Sequence, residues 1–481
     1  MALVASAGVL AFPLLHAAPA RAASLAVPQD LRLVNYYPAH NGWTYMWRRW
    51  DPAAIDADFS RIASLNANTV RLIVQTPAFG WPEPTPRYTR RLADVVGLAD
   101  AHGLHVELTL FDWWGGYKQV RKSELWARSI VAPYAGDPRI VTIELQNEMD
   151  PTNVKATTWA RTLLPYLRQI DGGIPVTLSV SGHDPIAGIR AMRQALGSAA
   201  LPDYWSFHYY DKPELAYQTF QQAQQAAAPQ PLFVGETGYW PGDSDPPVTS
   251  VADREDEQVR YLRTVETAAH LLGLPAVAPW ILSDFSRSAI PNRVRDVEYH
   301  FGLFRVDGTP KPAAEAVRAF FGNQAPDAGF DQGFEQPLAG EAALPASWHR
   351  RGAGSFARDV GVAHDGDASA SIGGVRGRPT VRARFWTIPT VPWVTSGATV
   401  TAGVWARGEA ATGTTRISVL FFDGSRHFIG EADSTPLATG TTDWTQLTAP
   451  AIVPPTAAYV RLELSSDADS GRVWFDDVSF G

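Results

Sequence analysis

Two short stretches of the chain end in carboxylates placed where a reacting group can sit. Ile140–Asp150 (IVTIELQNEMD) follows a Gly-Asp-Pro turn signal and begins as an apolar, β-branched run. It closes on Gln146, Asn147, Glu148 and Asp150, polar groups that a buried strand cannot carry without partners. Pro151 and a helical pattern from Asn153 to Ile170 follow. Pro231–Trp240 (PLFVGETGYW) has the same form: an apolar run ends in the single carboxylate Glu236, and a loop and a long helical pattern, Val251 to Leu272, come next. In parallel α/β proteins chemistry sits at the carboxyl ends of strands. Two carboxylates so placed, with several elements between them, suit retaining cleavage of a glycosidic bond. One would work as acid and base and the other as nucleophile, about 5–5.5 Å apart.

The elements that must position them alternate along the chain. Strand-like runs are Leu31–Val34, Thr69–Val74, Leu104–Phe111, Ile140–Leu145, Val176–Val180, Tyr204–His208, Leu232–Gly235 and Ala276–Leu282. Each is followed by a helical pattern, the last over Lys311–Phe321. Eight such pairs in about 290 residues predict an α/β chain folded as a (β/α)8 TIM barrel. An open doubly wound sheet would show a Gly-rich first turn, and none is present. Past residues 322–329 no helical period survives. Short runs separated by Gly, Asp, Thr and Pro (Ala370–Ile372, Val381–Trp386, Thr399–Ala406, Arg416–Phe422, Trp444–Ala449, Ala458–Leu464, Arg472–Ser479) predict an all-β sandwich of jelly-roll type. The expected division is an export signal over 1–22, a barrel over 23–323 and a sandwich over 324–481. No long linker separates the last two, so close packing is expected.

The apolar stretch Leu3–Leu15 and the small-x-small pattern Ala20-Arg21-Ala22 carry the export reading. A secreted, monomeric protein is expected, starting near Ala23. The net charge of −8 offers no basic footprint for nucleic acid or an anionic membrane. With no cysteine there are no disulfides and no thiolate chemistry. Seventeen tryptophans supply flat apolar faces that suit sugar stacking and equally suit core filling.

With the strands placed, polar and aromatic residues gather at one barrel face. Strand two carries Arg71, strand three ends in Asp112, Trp113 and Trp114, and strand four ends in Asn147 and Glu148. Strand six ends in His208, Tyr209 and Tyr210, strand seven in Glu236, and strand eight carries Trp280. This set resembles clan A of the glycoside hydrolases, and most closely family 5, the cellulases and β-mannanases, over Leu31 to Phe321. The resemblance implies that Glu148 is the acid/base with a raised pKa, and that Glu236 is the nucleophile, kept ionised by Arg71 and Tyr210. It also implies that Asn147 binds the sugar 2-hydroxyl, that His208 orients Glu148 or bonds the substrate, and that Trp280 is the sugar platform. Trp114 stands where family 5 commonly has a histidine. Asp112 is either a sugar ligand or a cap on its own loop. The aromatic first loop, Asn35 to Trp47, is expected to line sugar subsites together with Trp81 and Trp240. The implied substrate is a polysaccharide or oligosaccharide with β-linkages, a β-glucan or β-mannan, cut without a metal or organic cofactor. A transglycosylase of the same clan and a catalytically idle glycan-binding protein are the competing expectations.

The sandwich segment, with Phe330–Glu335 at its start and Val473–Phe480 at its end, resembles jelly-roll carbohydrate-binding modules. That resemblance implies a structural calcium, for which Glu335, Asp367 and Asp477 are the candidates; turn carboxylates are the alternative. Trp386, Trp393 and Trp405 either present a sugar-binding face or pack within the sheets.

Overall fold

The computed structural model describes residues 26–481, except 182–183, 240–250, 292–294, 324–329, 339–340, 375–378 and 388–393, and the side chains of 252 and 253. The expected export signal, Trp240, Trp393 and the loop 242–250 lie outside the described residues.

The first half is a barrel of parallel strands ringed by helices. Leu33–Asn35, Thr69–Ile73, His105–Thr109, Ile140–Glu144 and Val176–Thr177 form one parallel ladder. Ser179–Val180, Trp205–Tyr209 and Leu232–Thr237 form a second. The fifth strand is therefore one expected run broken at Leu178. The eighth is not a continuous strand: segment 276–282 pairs through an isolated bridge, Thr237 with Pro279. Pro275 and Pro279 lack the N–H that a ladder needs, so bonds reach only the remaining groups. Asn35 N donates to Pro279 O (3.3 Å) and Leu282 N to Asn35 O (3.2 Å), which closes the circle from strand eight to strand one.

The helices start where the sequence supplies caps. Asp51 and Asp184 accept from the backbone N–H groups of Ala54 and Ala187, each just ahead of a proline, and Asn153 caps Val154–Leu167. The barrel interior is not wholly apolar. Asn35, Arg71, Glu107 and Thr142 stand side by side on four neighbouring strands, with Ile73, Thr109 and Glu144 one step nearer the carboxyl ends.

The second half is a sandwich of two five-stranded antiparallel sheets. One runs Trp348–Ala353, Val381–Thr387, Tyr459–Asp467, Thr414–Phe422, Phe428–Asp433. The other runs Ser355–Val360, Ala368–Gly373, Arg472–Phe480, Thr399–Ala411, Gly440–Ile452. Phe385, Leu464, Ile417 and Val419 of the first face Ile372, Val404, Ala406 and Phe475 of the second in a shared core. Strands 348–353, 355–360 and 428–433 have no counterpart in the sequence reading. All three are sheet edges, and their exposed side chains show no apolar alternation to find.

The halves meet along helix Val251–Leu271. Its fully buried Arg260 contacts Glu257 and His349 and donates to Ser347 O (3.4 Å). His349 also lies 2.8 Å from Glu257, and Arg426 of the sandwich pairs with Glu214 of the barrel at 3.2 Å.

The turn after strand eight depends on a close backbone approach. A Cβ on Gly302 would lie 2.0 Å from Asp284 N and 2.3 Å from Ser283 C. Gly302→Ala is expected to cost about 2 kcal/mol or more, read as a lower midpoint of thermal unfolding. An unchanged midpoint would contradict this packing.

Candidate active site

Arg71 is the centre of the site, almost fully buried in the mouth of the barrel. Its Nε donates to Glu144 Oε2 (2.9 Å) and Thr109 Oγ1 (3.1 Å), and its Nη2 to Glu144 Oε2 (2.6 Å) and Asn147 Oδ1 (2.7 Å). Nη1 donates to Asn35 Oδ1 (2.9 Å) and to Glu236 Oε1. Glu107 Oε1 lies 3.3 Å from Nε, so one guanidinium faces three buried carboxylates. Burial, then Glu144, pushes the Glu107 carboxyl up to about 7. Glu144 is also driven up by burial, but Arg71 and its hydroxyl donors bring it below the usual carboxylate value.

Glu236 reaches Arg71 from strand seven through a bulge. Phe207 pairs with Val234, but His208 pairs with Glu236, so Gly235 is the extra residue. A Cβ there would meet Ser206 Oγ at 2.3 Å, so any larger residue would require that hydroxyl to turn away. The bulge sets Glu236 beside His208, whose Nδ1 is 3.3 Å from Glu236 Oε2 and 3.0 Å from Glu148 Oε1. Tyr210 donates its hydroxyl to Glu236 Oε2 at 2.9 Å.

Glu148 turns off strand four in a left-handed backbone conformation (φ 49°), and its N–H donates to Ser179 Oγ at 2.8 Å. Asn147 is fixed between Arg71 and Asp112, donating to Asp112 Oδ1 at 3.0 Å; Gln75 holds the other Asp112 oxygen, also at 3.0 Å. Asp112 lines the pocket, and its two oxygens are held by Gln75 and Asn147 rather than by its own loop.

The pocket at this face has a volume of about 320 Å³. Glu148 and Glu236 face each other in it, with Asn147, Tyr210 and Trp280 on the wall. Arg71 and His208 support the two carboxylates from beneath. Trp43 and Trp113 close one side; the loop after strand eight adds Arg295, Glu298 and Phe301.

Three expectations are corrected here. Trp114 does not face the pocket. It packs into Trp81 and Phe111 at 4.4 and 5.1 Å between ring centroids, over Gly116, and its neighbour Trp113 lines the pocket instead. The left-handed conformation at Trp113 (φ 47°) breaks the strand alternation that would have pointed Trp114 inward. Trp113 is 59% exposed and stacks on Trp43 at 5.8 Å. Likewise Trp81 belongs to that packed cluster, and Trp47 is fully buried with its indole N–H on Ile73 O (3.0 Å). The third correction is electrostatic. Burial raises the Glu148 carboxyl, but the hydrogen bond and charge of His208 outweigh it and hold the group below its ordinary value. Glu236 is the raised one, through burial, although His208 and Arg71 oppose the shift. Burial lowers His208, and the two carboxylates more than reverse this, so the imidazole is raised.

Glu148, His208 and Glu236 offer donor atoms within 4.8 Å of one another, a spacing that a cation can fit. The Arg71 charge on Glu236 opposes a second cation there. In the sandwich the calcium candidates do not assemble. Glu335 Oε1 accepts the N–H groups of Asp367 (2.8 Å) and Ala368 (3.2 Å), and Asp477 pairs with His364 at 2.6 Å. Among the described residues the barrel trio is the one group of three with ligand spacing.

The supporting residues Asn35, Gln75, Glu107, Thr109 and Glu144 were not singled out from the sequence. Their signal was present, since each is a polar residue inside or just after an apolar strand run. Arg295 and Glu298 carried no such signal, being loop residues.

No protein-family model matches the chain, and no curated protein matches it. Among solved structures it is similar to the exo-beta-1,4-mannosidase Op5Man5 from Opitutaceae bacterium strain TAV5, with TM-score 0.50 and 21% identity, over 61% of this chain and 59% of that one. It is also similar to a variant of the GH5_18 enzyme from Streptomyces cattleya, solved in complex with Manb1-4GlcNAc, with TM-score 0.50 and 20% identity, over 64% and 82%. The match thus spans less than two thirds of the Opitutaceae protein. These likenesses show the fold of the barrel.

The two neighbouring tryptophans separate structural from surface roles. Trp114→Ala is expected to lose about 2–3 kcal/mol of stability through its cavity, whereas Trp113→Ala stays within about 0.5 kcal/mol of the parent. Chemical denaturation of the two variants checks this.

Proposed function

We propose that the chain is a retaining O-glycosidase acting on a β-linked glycan, a β-mannoside or β-glucan. One observation carries the reading: a carboxylate oxygen of Glu148 and one of Glu236 lie within 4.8 Å, both against Nδ1 of His208. That is the short separation of retaining enzymes, which leaves no room for a water between the carboxylates.

Glu236 is the nucleophile. It sits on Arg71 and Tyr210, which hold a carboxylate oxygen each and aim it into the pocket. It attacks the anomeric carbon as the glycosidic C–O bond breaks, and Glu148 gives its proton to the departing oxygen. In the second step Glu148 takes a proton from water, whose oxygen attacks the same carbon and frees Glu236. In the free protein the acid proton rests on His208, between the two carboxylates. A bound sugar covers the half-exposed Glu148 and removes the water that stabilises its charge. The proton then moves along the 3.0 Å contact from Nδ1 to Glu148. Asn147, immobilised by Arg71 and Asp112, bonds the sugar 2-hydroxyl, and Trp280 lies under the ring. No step uses a metal or cofactor.

The pocket volume and the wall formed by Glu298 and Phe301 favour action at a glycan end, against the open groove that mid-chain cleavage needs. Both solved relatives named above concern β-mannosides, which puts these first in a panel. The export pattern in 1–22 supports placement outside the cell.

Release of reducing ends from β-mannans, β-glucans, xylan and aryl β-glycosides tests the reading. The expectation is cleavage of one class, reduced at least about 10³-fold in Glu236→Ala and in Glu148→Ala, with azide restoring the first as an inverted glycosyl azide. A wild type that cuts nothing in the panel, or a Glu236→Ala variant with full activity, would overturn it.

The pH profile has two expected limbs. On the acid side activity falls as Glu236 protonates, and its raised pKa puts that limb above the ordinary carboxylate value. On the alkaline side it falls with loss of the proton that His208 shares with Glu148, above the ordinary imidazole value because His208 is raised. His208→Asn should move the alkaline limb and, by removing the charge that lowers Glu236, raise the acid limb further.

A further inference from the structure

Four carboxylates line the barrel pocket, and three of them are accounted for. Glu236 sits on Arg71 and Tyr210, Glu148 on His208, and both oxygens of Asp112 are held by side chains. The fourth is Glu298, half-buried in the pocket wall with Phe301. Its carboxylate makes no hydrogen bond and no ion pair among the described residues. Burial and then the charge of Glu236 push this carboxyl above its ordinary value, against the pull of Arg295.

The turn that carries Glu298 is fixed from several sides. Asp296–Tyr299 forms one short 3-10 turn, with Val297 buried beneath it. Arg287 pairs with Asp296, and its guanidinium lies 4.5 Å from the centroid of the Tyr299 ring. Phe301 packs on Tyr210 at 5.6 Å between centroids, Gly302 N donates to Asp284 Oδ1 (2.9 Å), and Lys311 Nζ donates to His300 O (3.1 Å). Glu298 is thus held at the wall without being consumed by the hold. A half-buried carboxylate with both oxygens free, near two others, is unfavourable until something donates to it. Charge at this face is nearly balanced: Arg71, His208 and Arg295 stand against Glu148, Glu236 and Glu298. Neither an ammonium group nor an anionic sugar is selected by that balance. An uncharged ring is, and its donors are hydroxyls.

We propose that Glu298 determines specificity by accepting hydrogen bonds from free hydroxyls at the edge of the bound sugar opposite its reacting carbon, and so selects the terminal sugar of a glycan. The proposal rests on the glycosidase reading. There the two catalytic carboxylates stand at the reacting carbon and Asn147 takes the 2-hydroxyl, which leaves the 3- and 4-hydroxyls to the wall. An ionised carboxylate only accepts, and its two oxygens suit two hydroxyls on adjacent ring carbons. The free 4-hydroxyl of a chain end can donate to it. The same oxygen inside a β-1,4-linked chain has no hydrogen to give, and the sugar beyond it would meet Glu298 and Phe301. Mannose and glucose agree at carbons 3 and 4, so Glu298 serves either and does not distinguish them.

Calorimetric titration of the full chain tests this without requiring cleavage. The probes are sulfur-linked β-1,4-mannobiose and its glucose counterpart, each also made with hydrogen in place of the terminal 4-hydroxyl. Wild type should bind at least one disaccharide and lose at least about tenfold in affinity for its deoxy form. Glu298→Ala should bind the parent disaccharide at least about tenfold more weakly, yet lose less than about twofold more on the deoxy form, with its unfolding midpoint unchanged. Glu298→Gln, which keeps an acceptor oxygen, should recover part of the loss. Three results would each overturn the proposal: no binding of either disaccharide to the wild type, unchanged affinity in Glu298→Ala, or the same deoxy penalty in that variant as in the parent. A wild type that shows the coupling yet cuts nothing in the glycan panel would refute the glycosidase reading and leave this assignment standing, so the two failures are distinct.

Discussion

Everything at the mouth of the barrel depends on how one buried guanidinium is shared. Arg71 faces Glu107, Glu144 and Glu236, all nearly without solvent. A single positive charge cannot stabilise three buried negative ones, and desolvation is the larger force on each carboxyl. The geometry resolves this unequally. Glu144 holds the two short contacts and the Thr109 hydroxyl, and is ionised. Glu107, farther off and helped by the Arg71 charge and then by the Tyr204 hydroxyl at 3.0 Å, keeps its proton to about pH 7. Glu236 receives what remains. Removing one partner would leave the others unbalanced in the barrel interior, a loss far larger than that of a surface ion pair.

The same sharing explains why Asn147 and Glu148 can be held a residue apart in different ways. Asn147 is locked by Arg71 and Asp112 and contributes fixed hydrogen-bonding direction. Glu148, beyond the left-handed turn, is half-exposed and tied only to His208 and, through its backbone, to Ser179. A rigid amide beside a carboxyl whose charge responds to solvent is a sensible division for a site that must bind first and donate a proton second. The reversal of the expected pKa order follows from the imidazole: its hydrogen bond and charge outweigh the burial of Glu148, whereas at Glu236 burial outweighs His208 and Arg71.

The two halves of the chain are joined at their own charged contact. Arg260 leaves the barrel helix fully buried and meets His349 and Ser347 of the sandwich, while Glu257 beside it balances the charge. Burial and the nearby Arg260 push His349 well below its ordinary value, so it stays neutral beside that cation. The sandwich is thus carried on the barrel by a paired, desolvated contact.

The alternation of strand and helix patterns sufficed for the barrel, because burying one face of every element imposes a period that the residues display. The two carboxylates were legible for a related reason: Glu148 and Glu236 are polar groups that end apolar runs, and so stand out. The sequence by itself determined this much, including Arg71, Asn147, His208, Tyr210 and Trp280 as residues of one face. Only the tertiary structure decided which tryptophan of the pair at 113 and 114 faces the pocket, since a single left-handed residue reverses side-chain direction without changing composition. It alone decided that edge strands lie at 348–353, 355–360 and 428–433, because an edge strand is paired on one side and need not be apolar. It also decided which carboxyl is raised. A pKa depends on desolvation and on charges brought near from distant strands, and those distances exist only once the chain has closed on itself.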